Sequence, residues 1–320
     1  MARDHGGNAD VARSQYGGDD WIDLSTGINR RPWPVPALPD SVWRDLPTAE
    51  IQAQATKAAA AWFGCRPEQV LPMAGASAAI QLLPRLGARG RAAVLSPSYN
   101  EHTASLSAAG WQVGPATDTA AMEGADLAVV VNPNNPDGRE WSPDALARLA
   151  TGVGRLIVDE SFADPRPDLS LAPALPANAV VLRSFGKFWG LAGLRLGFVI
   201  GAPDLLEELR EAAGPWSVNG PALAIATAAM ADRSWADDTV GYHSEASLRL
   251  DMLAAGAGWA CVGGTHLFRL YETPDARAAQ DRLARARIWT RRFPYSDRWL
   301  RLGIPGNRTE WDRLAAALHA

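Results

Sequence analysis

The sequence predicts an α/β protein, with a doubly wound, mostly parallel sheet in one large domain and a smaller α+β domain. The runs Ala92–Ser96, Ala125–Asn132, Arg155–Glu160 and Ala179–Ser184 are almost continuously apolar rather than alternating. That is expected of parallel strands covered on both faces. Helical patterns lie between these runs, giving a βαβ rhythm. With 320 residues, the chain can bury a large core and divide into two domains.

Residues 1–45 are rich in Gly, Pro, Asp and Asn with little periodicity, and read as an extended arm completing the small domain. An Ala-rich helix is expected over 49–63, ending near Gly64. A second helix should start at Ser142-Pro143, with Ser as cap and Pro in the first turn. The large domain is expected over 46–214. The small domain is expected over 215–320, with helices near 221–231 and 236–255. Strands should follow near 259–271 and 298–304, and a last helix over 309–319.

The net charge of -4 and the absence of a basic block give no reason to expect nucleic acid. Cys65 and Cys261 stand apart, with no CxxC pair. Free thiols in a reducing cytosol are expected in preference to a disulfide. The start, Met1 to Asn8, lacks the apolar core of a signal peptide. No run approaches the ~20 apolar residues of a membrane helix, so a cytoplasmic protein is expected. Most of the 13 tryptophans should be packing residues.

Of 31 basic residues only Lys57 and Lys187 are lysines. A guanidinium is effectively never deprotonated, whereas an ε-amino group can lose its proton and attack a carbonyl. Lys57 lies in an Ala-rich helical stretch, where an exposed lysine needs no special role. Lys187 follows the apolar run Val180-Val-Leu-Arg-Ser-Phe-Gly-Lys187, a place that suits a Schiff-base lysine.

Ligands of open parallel sheets bind at the carboxyl ends of the strands. Those ends carry Asn132-Pro-Asn-Asn-Pro-Asp-Gly138, Asp159-Glu-Ser-Phe162 and Ser184-Phe-Gly-Lys187. An Asn/Pro-rich turn, a carboxylate and a lysine are the minimum equipment for holding pyridoxal phosphate.

The ordered set Asn135 before Pro136-Asp137-Gly138, then Asp159, Ser184, Lys187 and Arg195 resembles the aspartate-aminotransferase-fold (type I) pyridoxal-phosphate enzymes. The resemblance implies that fold and that cofactor. It implies that Lys187 holds the cofactor covalently, Asp159 pairs with the ring nitrogen and Asn135 donates to the ring oxygen. Ser184, Arg195 and the helix start Gly75-Ala76-Ser77 would bind the cofactor phosphate, Tyr99 would stack on the ring, and His102 would stand behind Asp159. Where transaminases of this family usually carry Tyr, this chain has Phe162, which has no hydroxyl to offer the ring. No metal site is expected.

His5-Gly-Gly-Asn8, Asp23-Leu-Ser-Thr-Gly-Ile-Asn29, Gln81-Leu-Leu-Pro-Arg85 and Arg291-Arg-Phe293 with Trp299-Leu-Arg301 resemble the threonine-phosphate decarboxylases of cobalamin biosynthesis. Arg30-Arg31 departs from the Asn-Pro that commonly follows in that group. The resemblance implies decarboxylation of O-phospho-L-threonine to (R)-1-amino-2-propanol O-2-phosphate by a homodimer. Arg301 would take the substrate carboxylate. His5, Gly6, Gly27 and Arg291 are candidates for its phosphate, and Asn135 also faces substrate. Residues alone do not separate Arg291 from Arg292; Arg291 is favoured. The segment 44–50 has no Tyr to offer a partner subunit's cofactor. An aminotransferase acting on a phosphorylated amino acid, such as histidinol phosphate, shares every cofactor residue. A non-catalytic binding module on the same fold is the alternative from another class.

Overall fold

The computed structural model describes residues 5–319. They form two compact units. The larger comprises Trp33–Asn135 and Glu140–Arg233; the smaller comprises, of the described residues, 5–32, Pro136–Arg139 and 234–319.

The larger unit is built on a seven-stranded sheet. Its order is Val70–Met73, Gly197–Ile200, Ala179–Ser184, Arg155–Asp159, Leu127–Val131, Arg91–Leu95 and Gln112–Ala116. The last five pair in parallel. Gly197–Ile200 runs antiparallel to both of its neighbours, so the sheet is mixed. Leu127–Val131 is buried at every position, which is why its run is apolar without alternation.

Parity along the strands divides the sheet into two faces. Leu127, Val129, Ile157, Val180 and Leu182 join one core with Ile80, Leu83 and Leu106 of the covering helices. Asp159 continues that face beyond Ile157, and Ser184 continues it beyond Leu182. Asp159 and Ser184 therefore emerge together at the carboxyl end of the sheet, one strand apart.

Helix Ala49–Phe63 starts on Thr48, whose hydroxyl accepts from the Ile51 amide, and stops at left-handed Gly64. Helix Pro143–Thr151 is capped by Ser142, which accepts from the Ala145 amide. Both follow ordinary cap chemistry.

In the smaller unit Arg291–Phe293, Ser296–Gly303, Phe268–Glu272 and Ala260–Thr265 form an antiparallel sheet. Tyr271, Leu300 and Leu302 turn one face to a core with Leu250, Leu283 and Leu314. A short parallel pair, Ile22–Asp23 with Ile288–Trp289, ties the N-terminal segment into this unit. Gly138 adopts φ +73, and a Cβ there would lie 2.1 Å from the Gly264 carbonyl oxygen. Only glycine permits that approach, which seats Pro136–Arg139 in the smaller unit.

Two expectations are corrected. Residues 1–45 are not extended throughout, since Ala9–Tyr16 and Asp40–Arg44 are helical. Asp10 and Arg13 pair one turn apart on the first of these, a local helix support hidden by the Gly- and Asp-rich flanks. The units also divide at 32/33 and 233/234 rather than at 45/46 and 214/215. Trp33 is buried, with its amide donating to the Trp189 carbonyl at 2.9 Å and its indole N–H to Asp232 at 3.1 Å. Helix Gly220–Ala231 packs on helix Ala49–Phe63 through faces that bury Ala55, Ala59 and Ala60 on one and Ala222, Ala226 and Ala229 on the other.

Both cysteines are free. Trp111, Trp189, Trp259 and Trp311 are core residues, but Trp43 and Trp216 are exposed. Among the described residues no helix is long and apolar enough to cross a membrane.

Candidate active site

A cavity at the carboxyl end of the larger sheet gathers Gly75, Ala76, Ser77, Tyr99, Asn135, Asp159, Ser184, Lys187 and Arg195. The strand ends supply Asp159 and Ser184. Lys187 lies in the helical turn Phe185–Phe188 that follows the second of these strands. Its Nζ is 5.6 Å from the centre of the Phe162 ring, which lines the same cavity.

Asp159 is almost wholly buried. Its Oδ2 lies 2.9 Å from Nε2 of His102, itself buried on helix Asn100–Ala108. Its Oδ1 accepts from the amide and the hydroxyl of Ser161. Burial alone would raise the pKa of Asp159; the His102 and Ser161 bonds outweigh it and hold the carboxyl below its ordinary value. The cavity thus has an anion at its floor.

The opposite chemistry lies at Arg195 and Gly75. Arg195 takes a left-handed backbone, φ 53, uncommon for a residue with a side chain. Its Nη1 donates to the Ala192 carbonyl. Gly75 has φ +83, and a Cβ there would stand 3.0 Å from Arg195 Nη2. Glycine therefore leaves room for the guanidinium beside the backbone that opens helix Ala76–Leu82. Cation, open backbone N–H groups and Ser77 make an anion cradle. An ionised carboxylate at one place, a phosphate cradle at another and an amine on the same wall fit a pyridinium ring that carries a phosphate arm.

Ser161 was not foreseen from sequence, although a Ser two residues after an Asp is the spacing of a side-chain turn. Ile80, Val131, Gly186, Ala192 and Leu196 also line the cavity. Apolar positions of this kind carry no local signal.

In the smaller unit His5, Gly6, Ser25, Arg291 and Arg292 line a second cavity. Arg291 is the cross-strand partner of Arg301, whereas Arg292 pairs with Leu300 of the core face. Arg291 and Arg301 therefore share a face, and both guanidinium groups lie near the Phe293 ring, at 5.5 and 6.0 Å. Arg301 is buried and donates to the Ser25 carbonyl at 2.7 Å. Arg292 donates to Gln280 at 2.6 Å. Gly27 is buried in the same segment as Ser25.

The chain matches the family described as aminotransferase class I and II over residues 19–318, and it belongs to that family. Within it, the chain is 43% identical over 327 residues to the threonine-phosphate decarboxylases of Sinorhizobium sp. and Pseudomonas aeruginosa. These matches cover 98% of this chain and 97% of each relative. A histidinol-phosphate aminotransferase of Mycobacterium tuberculosis is 34% identical, over 85% of this chain and 78% of the relative. The fold is shared with the crystal structure of histidinol-phosphate aminotransferase from Sinorhizobium meliloti in complex with pyridoxal-5'-phosphate. The TM-score is 0.85 at 22% identity, over 98% and 93% of the two chains. L-threonine-O-3-phosphate decarboxylase from Porphyromonas gingivalis gives a TM-score of 0.73 at 19% identity, over 93% and 98%. The architecture is the one the resemblance implied, a large mostly parallel sheet unit and a smaller α+β unit.

Proposed function

We propose that this chain is a pyridoxal-phosphate-dependent carboxy-lyase that decarboxylates O-phospho-L-threonine to (R)-1-amino-2-propanol O-2-phosphate, a step of cobalamin biosynthesis. The observation that carries the reading is the joint presence, in one cavity, of Lys187, an ionised Asp159 and the Arg195–Gly75 cradle. The near-full-length likeness to two threonine-phosphate decarboxylases supports this reaction over transamination.

When bound, pyridoxal phosphate supplies an electron sink for the pair released as the carboxylate departs as CO₂. Lys187 would supply the amine that holds the cofactor, and its ε-amino group would be the acid that delivers a proton to Cα. Asp159, ionised and backed by His102, would keep the proton on the ring nitrogen. Asn135 would donate to the ring oxygen, and Tyr99 would stack on the ring. Ser184, Arg195, Gly75, Ala76 and Ser77 would hold the cofactor phosphate.

Arg301 receives the substrate carboxylate. Arg291, with His5, Gly6 and Gly27, receives its phosphate, and Asn135 also faces substrate. Two guanidinium groups directly opposite each other repel, and a ligand with two anionic ends relieves that repulsion. The anion receptors would set the reaction outcome by orienting the substrate.

Trp43, Leu46, Val35 and Trp216 of the larger unit are exposed, Trp43 by 65%. Apolar exposure of this kind supports a homodimer. Sedimentation of the holoenzyme as a monomer would refute that part.

The decisive experiment supplies phosphothreonine to the holoenzyme without any keto acid. Release of CO₂ with aminopropanol phosphate is expected. If CO₂ is absent and turnover begins only when 2-oxoglutarate is added, the chain is an aminotransferase.

A further inference from the structure

Behind the cofactor cavity, on the other face of the larger sheet, lies a buried charge cluster. Glu160 follows Asp159 by one position and Arg183 precedes Ser184 by one, so both point away from the cavity. Arg183 donates through Nη1 to Glu160 at 2.8 Å and through Nη2 to Asp164 at 2.9 Å. All three residues are more than nine-tenths buried. Glu160 also accepts from the Ser170 hydroxyl at 2.6 Å and the Leu171 amide at 2.7 Å. The Trp62 indole donates to Asp164 at 2.9 Å, and the guanidinium lies 4.6 Å from the Phe63 ring centre.

The cluster closes a loop. Glu160 opens it; Ser170 and Leu171 end it, and both bond back to the Glu160 carboxylate. That loop carries Ser161, which bonds Asp159, and Phe162, which lines the cavity near Lys187. Arg183 fixes the neighbouring strand one residue before Ser184. One forked side chain thus joins the two strand ends and the loop that present Asp159, Phe162, Ser184 and Lys187.

We propose that Arg183, Glu160 and Asp164 are positioning residues. The buried fork holds the two strand ends and the 160–171 loop in the register that the cofactor requires, without touching the cofactor. A buried ion pair is weak evidence for stability, since an apolar replacement often stabilises equally well. Its fixed geometry is what such a pair supplies that an apolar replacement does not. A Lys cannot fork as Arg does, so shape as well as charge is required.

The inference rests on the cofactor reading above, and the test separates the two. Glu160→Gln keeps the size and an acceptor, and Arg183→Lys keeps the charge. Amide hydrogen exchange on the cofactor-free chain should accelerate about tenfold or more at 159–163 and 184–187 in both variants. Strand Leu127–Val131 should stay at the wild-type rate. Pyridoxal-phosphate dissociation constants should rise about tenfold, with the pH midpoint of the bound cofactor's absorption displaced. Unchanged exchange in those two segments, or acceleration spread evenly over the sheet, overturns the proposal. So does a dissociation constant within twofold of wild type. Failure of the wild-type chain to bind pyridoxal phosphate would sink the cofactor reading alone, and the exchange result would still decide the role of the cluster.

Discussion

His102 Nε2 stands 2.9 Å from Asp159 Oδ2, with both side chains about 3% exposed. Burial works against a charged Asp159, and the bonds from His102 and Ser161 reverse it. His102→Phe removes one of those bonds while leaving an apolar body in place. The pKa of Asp159 should then rise. Loss of a charged hydrogen bond is worth about 1.5–3 kcal/mol, so kcat should fall about tenfold or more. Because activity needs the carboxylate, the acid limb of the pH–rate profile should move to higher pH. A profile that keeps its acid limb would show that His102 does not act on Asp159.

Lys187→Ala should abolish both the visible absorption of the bound cofactor and turnover. Lys187→Arg should fail equally, because the site needs an amine that can lose its proton, not a fixed cation. Spectra and turnover of the two variants read this out. Retained turnover in either would remove Lys187 from its role.

Arg291 shares the face of Arg301, while Arg292 pairs toward the core face and is held by Gln280. Arg291→Ala should therefore raise the KM for phosphothreonine about a hundredfold, the scale of losing a charged anion contact. Arg292→Ala should change it by less than about threefold. The reverse ranking would reassign the phosphate receptor.

His243 is buried in the smaller unit, and its pKa is lowered from 6.5 to about 4, chiefly by burial. The unfolded chain then binds the extra proton first as pH falls. Stability associated with this group is complete above about pH 6.5 and declines as pH drops toward 4, by about 3 kcal/mol at most. Urea unfolding from pH 7 to 4 should show that decline, and His243→Phe should flatten it. A variant with the wild-type pH dependence would place the titration elsewhere.

Much of the cavity could be read from local sequence. Asn135, Asp159, Ser184, Lys187 and Arg195 sit at strand ends and turns whose spacing is set by short segments of chain, and apolar runs marked the strands that carry them. The helix cap at Ser142 was legible for the same reason, since a cap is made within about four residues. The helices at Ala9–Tyr16 and Asp40–Arg44 were not, because flanking Gly, Pro and Asp hid their short patterns. The boundary at Trp33 was also hidden, since it depends on Trp33 finding Trp189 and Asp232, far along the chain.

The sequence by itself determined which residue types stand at the ends of the strands, and so the chemistry available to this protein. Only the tertiary structure decided which of them face one another. Strand register placed Arg291 rather than Arg292 beside Arg301 and set Arg183 between Glu160 and Asp164. The reason is physical: a side chain's face follows from parity within its strand, but its neighbour depends on which strand pairs alongside and in what register. No local pattern encodes that choice.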